Sequence, residues 1–215
     1  MHNCDLPFFI SIEKASKHDA LSCISSTAQF LDLNPDIRSK YFCHDSAADS
    51  TAIYMYLRRN NITPVIDRNN RRNIGKEYNE KEHLNEDGVP VCTAGHPMIY
   101  HGYDPGRCRK KFRCPLAMGK ITSCPFQDSC STSSYGRTVY VADGDDARNA
   151  GPLVYRSDKW KQIYKNRTST ERINNHVLNN YNLHSMRIRN NKAKFAFFAI
   201  IVGINIHLDS WINVE

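Results

Sequence analysis

Apolar positions in the first third of the chain alternate between short β-prone runs and stripes at helical spacing. Residues 6–12 (LPFFISI) form one compact apolar run and predict a strand. From 20 to 33, Leu21, Ile24, Ala28 and Leu31 recur three and four residues apart, which is the period of one helix face. Ser16 or Asp19 is placed to cap that helix, and Asn34-Pro35-Asp36 to end it. Residues 40–44 (KYFCH) predict a second strand, 51–59 a second helix with Ile53, Tyr56 and Leu57 on one face, and 63–66 (TPVI) a third strand. The order strand–helix–strand–helix–strand predicts an α/β fold with at least one parallel strand pair and helices packed over it.

The pattern breaks between 67 and 90, where Asn69-Asn70-Arg71-Arg72-Asn73 and the polar stretch 76–88 predict loop. From 89 to 146 the chain carries five of the eight cysteines, frequent Gly and Pro, and short β-like runs such as 138–141. This stretch reads as an insertion with its own internal staples. Helical periodicity resumes at Ser157 and continues to about Asn180, and the apolar segment 193–212 returns to the core. Three stretches follow: 1–69 as the first part of the core, 70–150 as polar loop and Cys-rich insertion, and 151–215 as a helix and closing core segment.

Composition excludes wholesale disorder, because 40% of the 215 residues are hydrophobic and 24% are charged. The formal charge is +7, and its placement says more than its size. Residues 151–194 hold ten basic side chains against two acidic ones, while the other 171 residues hold 19 basic and 20 acidic. An excess confined to one segment is the footprint of a polyanionic partner. The start of the chain lacks a basic region followed by a long apolar one, so no signal peptide is visible. The apolar run 195–208 is short of the roughly 20 residues of a membrane span and is interrupted by Asn205 and His207, which predicts a buried helix or strand and no membrane partner. Cys4, Cys23 and Cys43 lie in apolar segments as small buried thiols do, favouring a reducing, cytoplasmic setting.

Three groups of residues carry chemistry. Asp45 follows a predicted strand directly, where polar groups of open α/β sheets converge on ligands, and a carboxylate there suits Mg²⁺; the alternative is that Asp45 or Asp49 caps the next helix. Trp160, Tyr164, Arg167 and Glu171 are spaced four, three and four apart, so one helix would project all four from one face. An aromatic, cationic and anionic stripe suits an active-site wall; the alternative is a solvated face with an Arg167–Glu171 pair. Finally, Cys92, Cys108, Cys114, Cys124 and Cys130 lie near His96 and His101. Cys114-Pro115 and Cys124-Pro125 are similar to metal-binding knuckles, and Cys92, Cys114, Cys124 and Cys130 are the best four ligands for tetrahedral Zn²⁺. No Cys-x2-Cys pair is present, so zinc, buried thiols and disulfides all remain open. His18 and His176 read as structural or solvent-facing.

The combination of Asp45 in Asp45-Ser46-Ala47-Ala48-Asp49-Ser50 with Tyr164-x2-Arg167-x3-Glu171 resembles the DDE transposases of bacterial insertion sequences. Two positions depart from that family's pattern: Ala48 stands where Tyr is usual, and Leu178 where the signature has Lys. The resemblance extends through residues 60–69, the Cys-rich insertion, 135–140 and 167–174. It implies an RNase H-like core in which 6–12 is strand three, 40–44 strand four and 63–66 strand five, with the Cys-rich insertion ahead of the catalytic helix. On that alignment the first two strands, and the first catalytic Asp with them, are expected to precede residue 1; Asp5 is a poor substitute.

The implied chemistry is metal-dependent DNA strand cleavage and transfer at transposon ends, with two Mg²⁺ (or Mn²⁺) ions activating a water or 3′-hydroxyl. Asp45 and Glu171 would hold the metals. Tyr164, Arg167 and Arg172 would bind DNA phosphates, and so would Arg109, Lys110 and Lys111 in the basic loop that also carries Arg107 and Arg113. The implied setting is the bacterial cytoplasm at the nucleoid, with self-association into a transposition complex. Lacking the first Asp, the chain alone is expected to cleave little or no DNA, and an unpaired sheet edge would make it prone to aggregate. A non-catalytic, zinc-stapled nucleic-acid-binding accessory protein is the alternative.

Overall fold

Parallel pairing of β1 (Tyr41–His44) with β2 (Thr63–Ile66) builds the first sheet, in register from Tyr41↔Thr63 to His44↔Ile66. Parallel neighbours need a crossover, and α2 (Thr51–Arg59) supplies it. Its apolar stripe buries Ile53, Tyr54 and Leu57. Tyr54 takes the place expected for Tyr56, because its ring packs inward and its hydroxyl bonds the buried Asp49. Asn61, at φ 58°, turns the chain back, and the Ile62 N–H donates to the Leu57 carbonyl at 2.9 Å.

The computed structural model describes residues 6–11, 19–69, 84–144, 146–181 and 192–212. Asp5, Ser16, His18, Arg187, Arg189, most of the polar stretch after 67 and the side chains of Asp19 and His176 lie outside the described parts. The chain forms two compact units, Ser39–Tyr164 and Met1–Arg38 with Lys165–Glu215.

Within Ser39–Tyr164, the second sheet is an antiparallel meander of β3 (Ile99–Asp104), β4 (Arg109–Arg113) and β5 (Thr138–Ala142). Met98, Phe112, Val141 and Val154 form its core, with Leu84, Val89, Cys92 and Val139 packed around them. A polar seam ties this meander to the β1–α2–β2 layer, so the insertion is no separate body. Arg68 Nη2 donates to Asn149 Oδ1 at 2.7 Å, Arg58 Nη2 donates to the Ala150 carbonyl at 2.9 Å, and the Tyr155 hydroxyl donates to Asp67. Ser157 caps α4 (Asp158–Tyr164) by accepting from the Trp160 N–H at 3.3 Å. That helix buries Trp160 against Val65 and Tyr155.

In the other unit, α1 (Asp19–Leu33) forms as expected, but residues 6–11 are not a strand. Phe8 and Phe9 meet Phe30 edge-on, both at 5.9 Å, and His207 Nε2 donates to the Pro7 carbonyl at 2.9 Å. The apolar side chains find partners without a ladder. In the described residues β1 therefore pairs with β2 alone. α5 (Arg167–Asn175) runs into a π-helical turn, His176–Asn180.

α6 (Lys192–Ile212) corrects the reading of the last apolar segment. The helical alternative holds, but burial is confined to a few positions: Val202 and Ile206 are buried, whereas Phe197, Ile204, Trp211 and Ile212 are all more than half exposed. At 21 residues, with a mean hydropathy of 1.7 over its most apolar window, it is long and apolar enough to cross a membrane by length and composition.

Candidate nucleic-acid interface

Strand geometry sorts the cations of β4. Side chains alternate between faces, so Arg109, Lys111 and Arg113 share one side while Lys110 and Phe112 share the other. The outward trio is paired with Ala142, Tyr140 and Thr138 of β5. Two tyrosines form the bed beneath it. The Arg109 guanidinium lies 3.9 Å from the Tyr140 ring centre and that of Arg113 lies 3.4 Å from the Tyr135 centre. Lys111 stands 4.8 Å from the same Tyr135 ring and donates to its hydroxyl at 2.7 Å. Arg113 Nη2 also donates to the Tyr135 carbonyl at 2.7 Å, and the His101 ring meets Tyr135 edge-on. Both tyrosines are at least 40% exposed, the three cations over them are half-buried, and Arg109 Nε also lies 3.6 Å from the Asp104 carboxylate.

Lys110 has the opposite fate and corrects its expected place among the phosphate contacts. It is 3% exposed, and its ammonium donates to the Asn149 carbonyl. Burial pulls its pKa down to about 8; Asp143 opposes that shift, while Arg58 and Arg68 reinforce it. An ammonium held inside the fold has no donor to offer a nucleic acid.

Asp45 follows β1 and is half exposed, its Oδ1 accepting from the Ala47 N–H and lying 3.0 Å from His44 Nδ1. It thus caps the short 3₁₀ turn Ser46–Ala48 and stays open to solvent. Asp49 is buried, accepting from the Asn69 N–H at 2.8 Å with Arg148 at 3.9 Å. Burial first, and then the Asp49 charge, push the Tyr54 hydroxyl pKa well up.

The stripe Trp160, Tyr164, Arg167 and Glu171 does not lie on one helix. Lys165 and Asn166 form a turn between α4 and α5, where the Thr168 hydroxyl and N–H both bond the Lys165 carbonyl. Tyr164 stacks on Trp160 at 4.5 Å, and Cys43 Sγ donates to the Ile163 carbonyl beside them. On α5, Glu171 accepts from Arg167 Nη1 at 2.7 Å, and Arg172 donates to Thr168 Oγ1 and Ser169 Oγ. Asp45 and Glu171 belong to different units.

No family model, curated protein or solved structure matches the chain. The reading therefore rests on the geometry and on the motif resemblance.

Tyr135 and Tyr140 were absent from the residues expected to act. The available signal was the alternation of Arg109-Lys110-Lys111-Phe112-Arg113, which separates Lys110 from its neighbours once the segment is taken as a strand. Cys92, Cys114, Cys124 and Cys130 line a common cavity of about 230 Å³. Among the described residues no three Cys, His, Asp or Glu side chains gather closely enough to hold an ion as placed.

Proposed function

We propose that the protein binds the phosphate backbone of DNA through the β4 face, as part of a DDE-type transposase. The observation that carries the binding is the row Arg109, Lys111 and Arg113 seated on Tyr135 and Tyr140. Alternate strand residues lie about 6.7 Å apart, so three of them span about 13 Å. With one phosphate per 3.4 Å of axis on each DNA strand, the row covers about four phosphates. Cations already stacked on rings lose little freedom on binding, and guanidinium forks match phosphate oxygens.

The catalytic part of the reading rests on the motif resemblance, with an RNase H-like core as its fold. It assigns metal anchoring to Asp45 and Glu171, with Mg²⁺ or Mn²⁺ supplying the phosphoryl-transfer chemistry, and phosphate contacts to Tyr164, Arg167 and Arg172. The half-exposed Asp45 carboxylate is compatible with that role, and the parallel β1–α2–β2 unit is compatible with that fold.

Fluorescence anisotropy with a labelled duplex tests the binding across a salt series. Three phosphate contacts contribute about 2.7 to the slope of log affinity against log salt. The variant Arg109→Ala/Lys111→Ala/Arg113→Ala is expected to lose that much slope along with most of its affinity. An unchanged slope would refute the β4 face. Metal-dependent nicking of the duplex, abolished by Asp45→Ala and by Glu171→Ala, would show the chain to be a competent nuclease.

A further inference from the structure

We propose that Cys92, Cys114, Cys124 and Cys130 bind one structural Zn²⁺ ion that closes the loop region beside the basic sheet. The four cysteines span 39 residues of sequence yet line the same cavity, and all four are free thiols. None of the four is joined in a disulfide as placed. The fifth cysteine of the region is sorted out by the fold: Cys108 sits in the β3–β4 turn at φ 45° with its thiol directed to the Pro105 carbonyl, and it does not line the cavity.

Local backbone geometry suits thiolate ligands. Cys92, Cys114 and Cys124 each open a turn, closed by bonds to their carbonyls from the N–H groups of Gly95 (2.9 Å), Met118 (3.1 Å) and Gln127 (3.1 Å). In such a turn the following amides point to the side on which the first residue carries its side chain, where they can support a negative sulfur. Cys130 ends the single helical turn Gln127–Cys130, anchored by its N–H to the Phe126 carbonyl at 2.9 Å. Four soft anionic sulfurs are the donor set of a closed tetrahedral zinc site, and Arg137 in the cavity wall offsets part of its negative charge.

The sulfurs as placed do not yet surround one point. Zn–S bonds of about 2.3 Å require the walls to draw inward, so the ion contracts the cavity. Its effect reaches the basic face through covalent neighbours. Cys114 follows Arg113, and Gly136 follows Tyr135 with its backbone packed on Cys114: a Cβ built there would stand 2.9 Å from the Cys114 Cβ. Metal ligation therefore fixes the edge at which Arg113 meets Tyr135.

The test uses the full chain, purified reduced and without chelator, then loaded with excess ZnCl₂ and desalted. Elemental analysis is expected to find one zinc per chain. Cys114→Ser and Cys124→Ser should lose it, while Cys108→Ser and Cys43→Ser keep it. If the serine variants fail to fold, Co²⁺ loaded into the unaltered chain gives a second readout: the thiolate-to-cobalt charge-transfer bands and intense d–d bands of a tetrahedral sulfur site. Absence of retained zinc, absence of those cobalt bands, or loss of zinc in Cys108→Ser as complete as in Cys114→Ser would overturn the proposal. None of these measurements involves DNA, so the outcome is separate from that of the β4 face.

Discussion

Lys110 and Lys111 are adjacent in sequence and opposite in environment, and replacing each with Met separates fold from binding. Lys110 has a folded pKa of about 8 against an ordinary 10.5, with burial as the main cause. Its charged form is thus the disfavoured one in the folded state. The penalty is full below pH 8 and is recovered as pH rises from 8 towards 10.5. Between pH 7 and pH 10 that recovery amounts to about 2–3 kcal/mol. Lys110→Met has nothing to titrate, so its stability relative to the parent should fall by about 2–3 kcal/mol over that range. At pH 7 the two effects of the substitution oppose each other: relief of the buried charge is offset by stranding the Asn149 carbonyl, at about 1–3 kcal/mol. The trend with pH, rather than the neutral value, is therefore the clean readout. Urea unfolding followed by Trp160 fluorescence in a Trp211→Phe background measures it. In duplex-binding titrations Lys110→Met should leave the salt slope unchanged, while Lys111→Met lowers it by about 0.9. A stability difference that stays flat from pH 7 to pH 10 would refute the burial of Lys110. Equal losses of DNA affinity in the two variants would refute the sorting of β4 into two faces.

Glu171→Ala should cost no more than about 0.5 kcal/mol in thermal or urea unfolding, because its pair with Arg167 is an exposed contact four residues apart; a larger loss would mean that Glu171 carries structure. Asp49→Ala should cost about 2–4 kcal/mol in the same assay, since it removes a buried carboxylate bonded to the Asn69 N–H and facing Arg148. Trp211 is 75% exposed and Trp160 6%, so acrylamide should quench a Trp160→Phe variant steeply and a Trp211→Phe variant weakly, and similar quenching would contradict the exposure of α6. Gly136→Ala places a methyl group 2.5 Å from the Ala117 Cβ at a φ of +76°; it should destabilise the chain and weaken Co²⁺ binding monitored by visible absorption.

What the sequence disclosed depended on whether a local period was enough to decide the element. The helices Asp19–Leu33 and Thr51–Arg59 and the strands at 41–44 and 63–66 each carry their own pattern, and each appears within a residue or so of its expected bounds. The run 6–12 is as apolar as a strand, but a strand also needs an unfilled partner edge. Phe8 and Phe9 instead satisfy themselves against Phe30. The stripe from Trp160 to Glu171 failed for a different reason. Spacing assumes an unbroken helix, and the bonds of Thr168 to the Lys165 carbonyl show where the ladder is interrupted. α6 shows the third kind of miss, since apolar composition speaks to helix formation more directly than to what covers the helix.

β4 was the hardest element to read, because four of its five residues are cationic and a polar run carries no strand signal of its own. Its identity comes from neighbours that pair with it on both sides. Once paired, alternation turns a cluster of charge into an instrument with two faces. Phe112 anchors the sheet in the core and Lys110 ties it to the Asn149 carbonyl, while Arg109, Lys111 and Arg113 lie half-buried on the other face against rings that hold them in line, with Asp104 3.6 Å from Arg109 Nε. The buried ammonium is an expensive way to secure a sheet. Its expense is tolerable because Asn149 also receives Arg68, so one loop residue joins the meander to the β1–α2–β2 layer. If the proposed DNA contact holds, such a floor favours it, since cations that need not be ordered on contact retain more of their attraction as affinity.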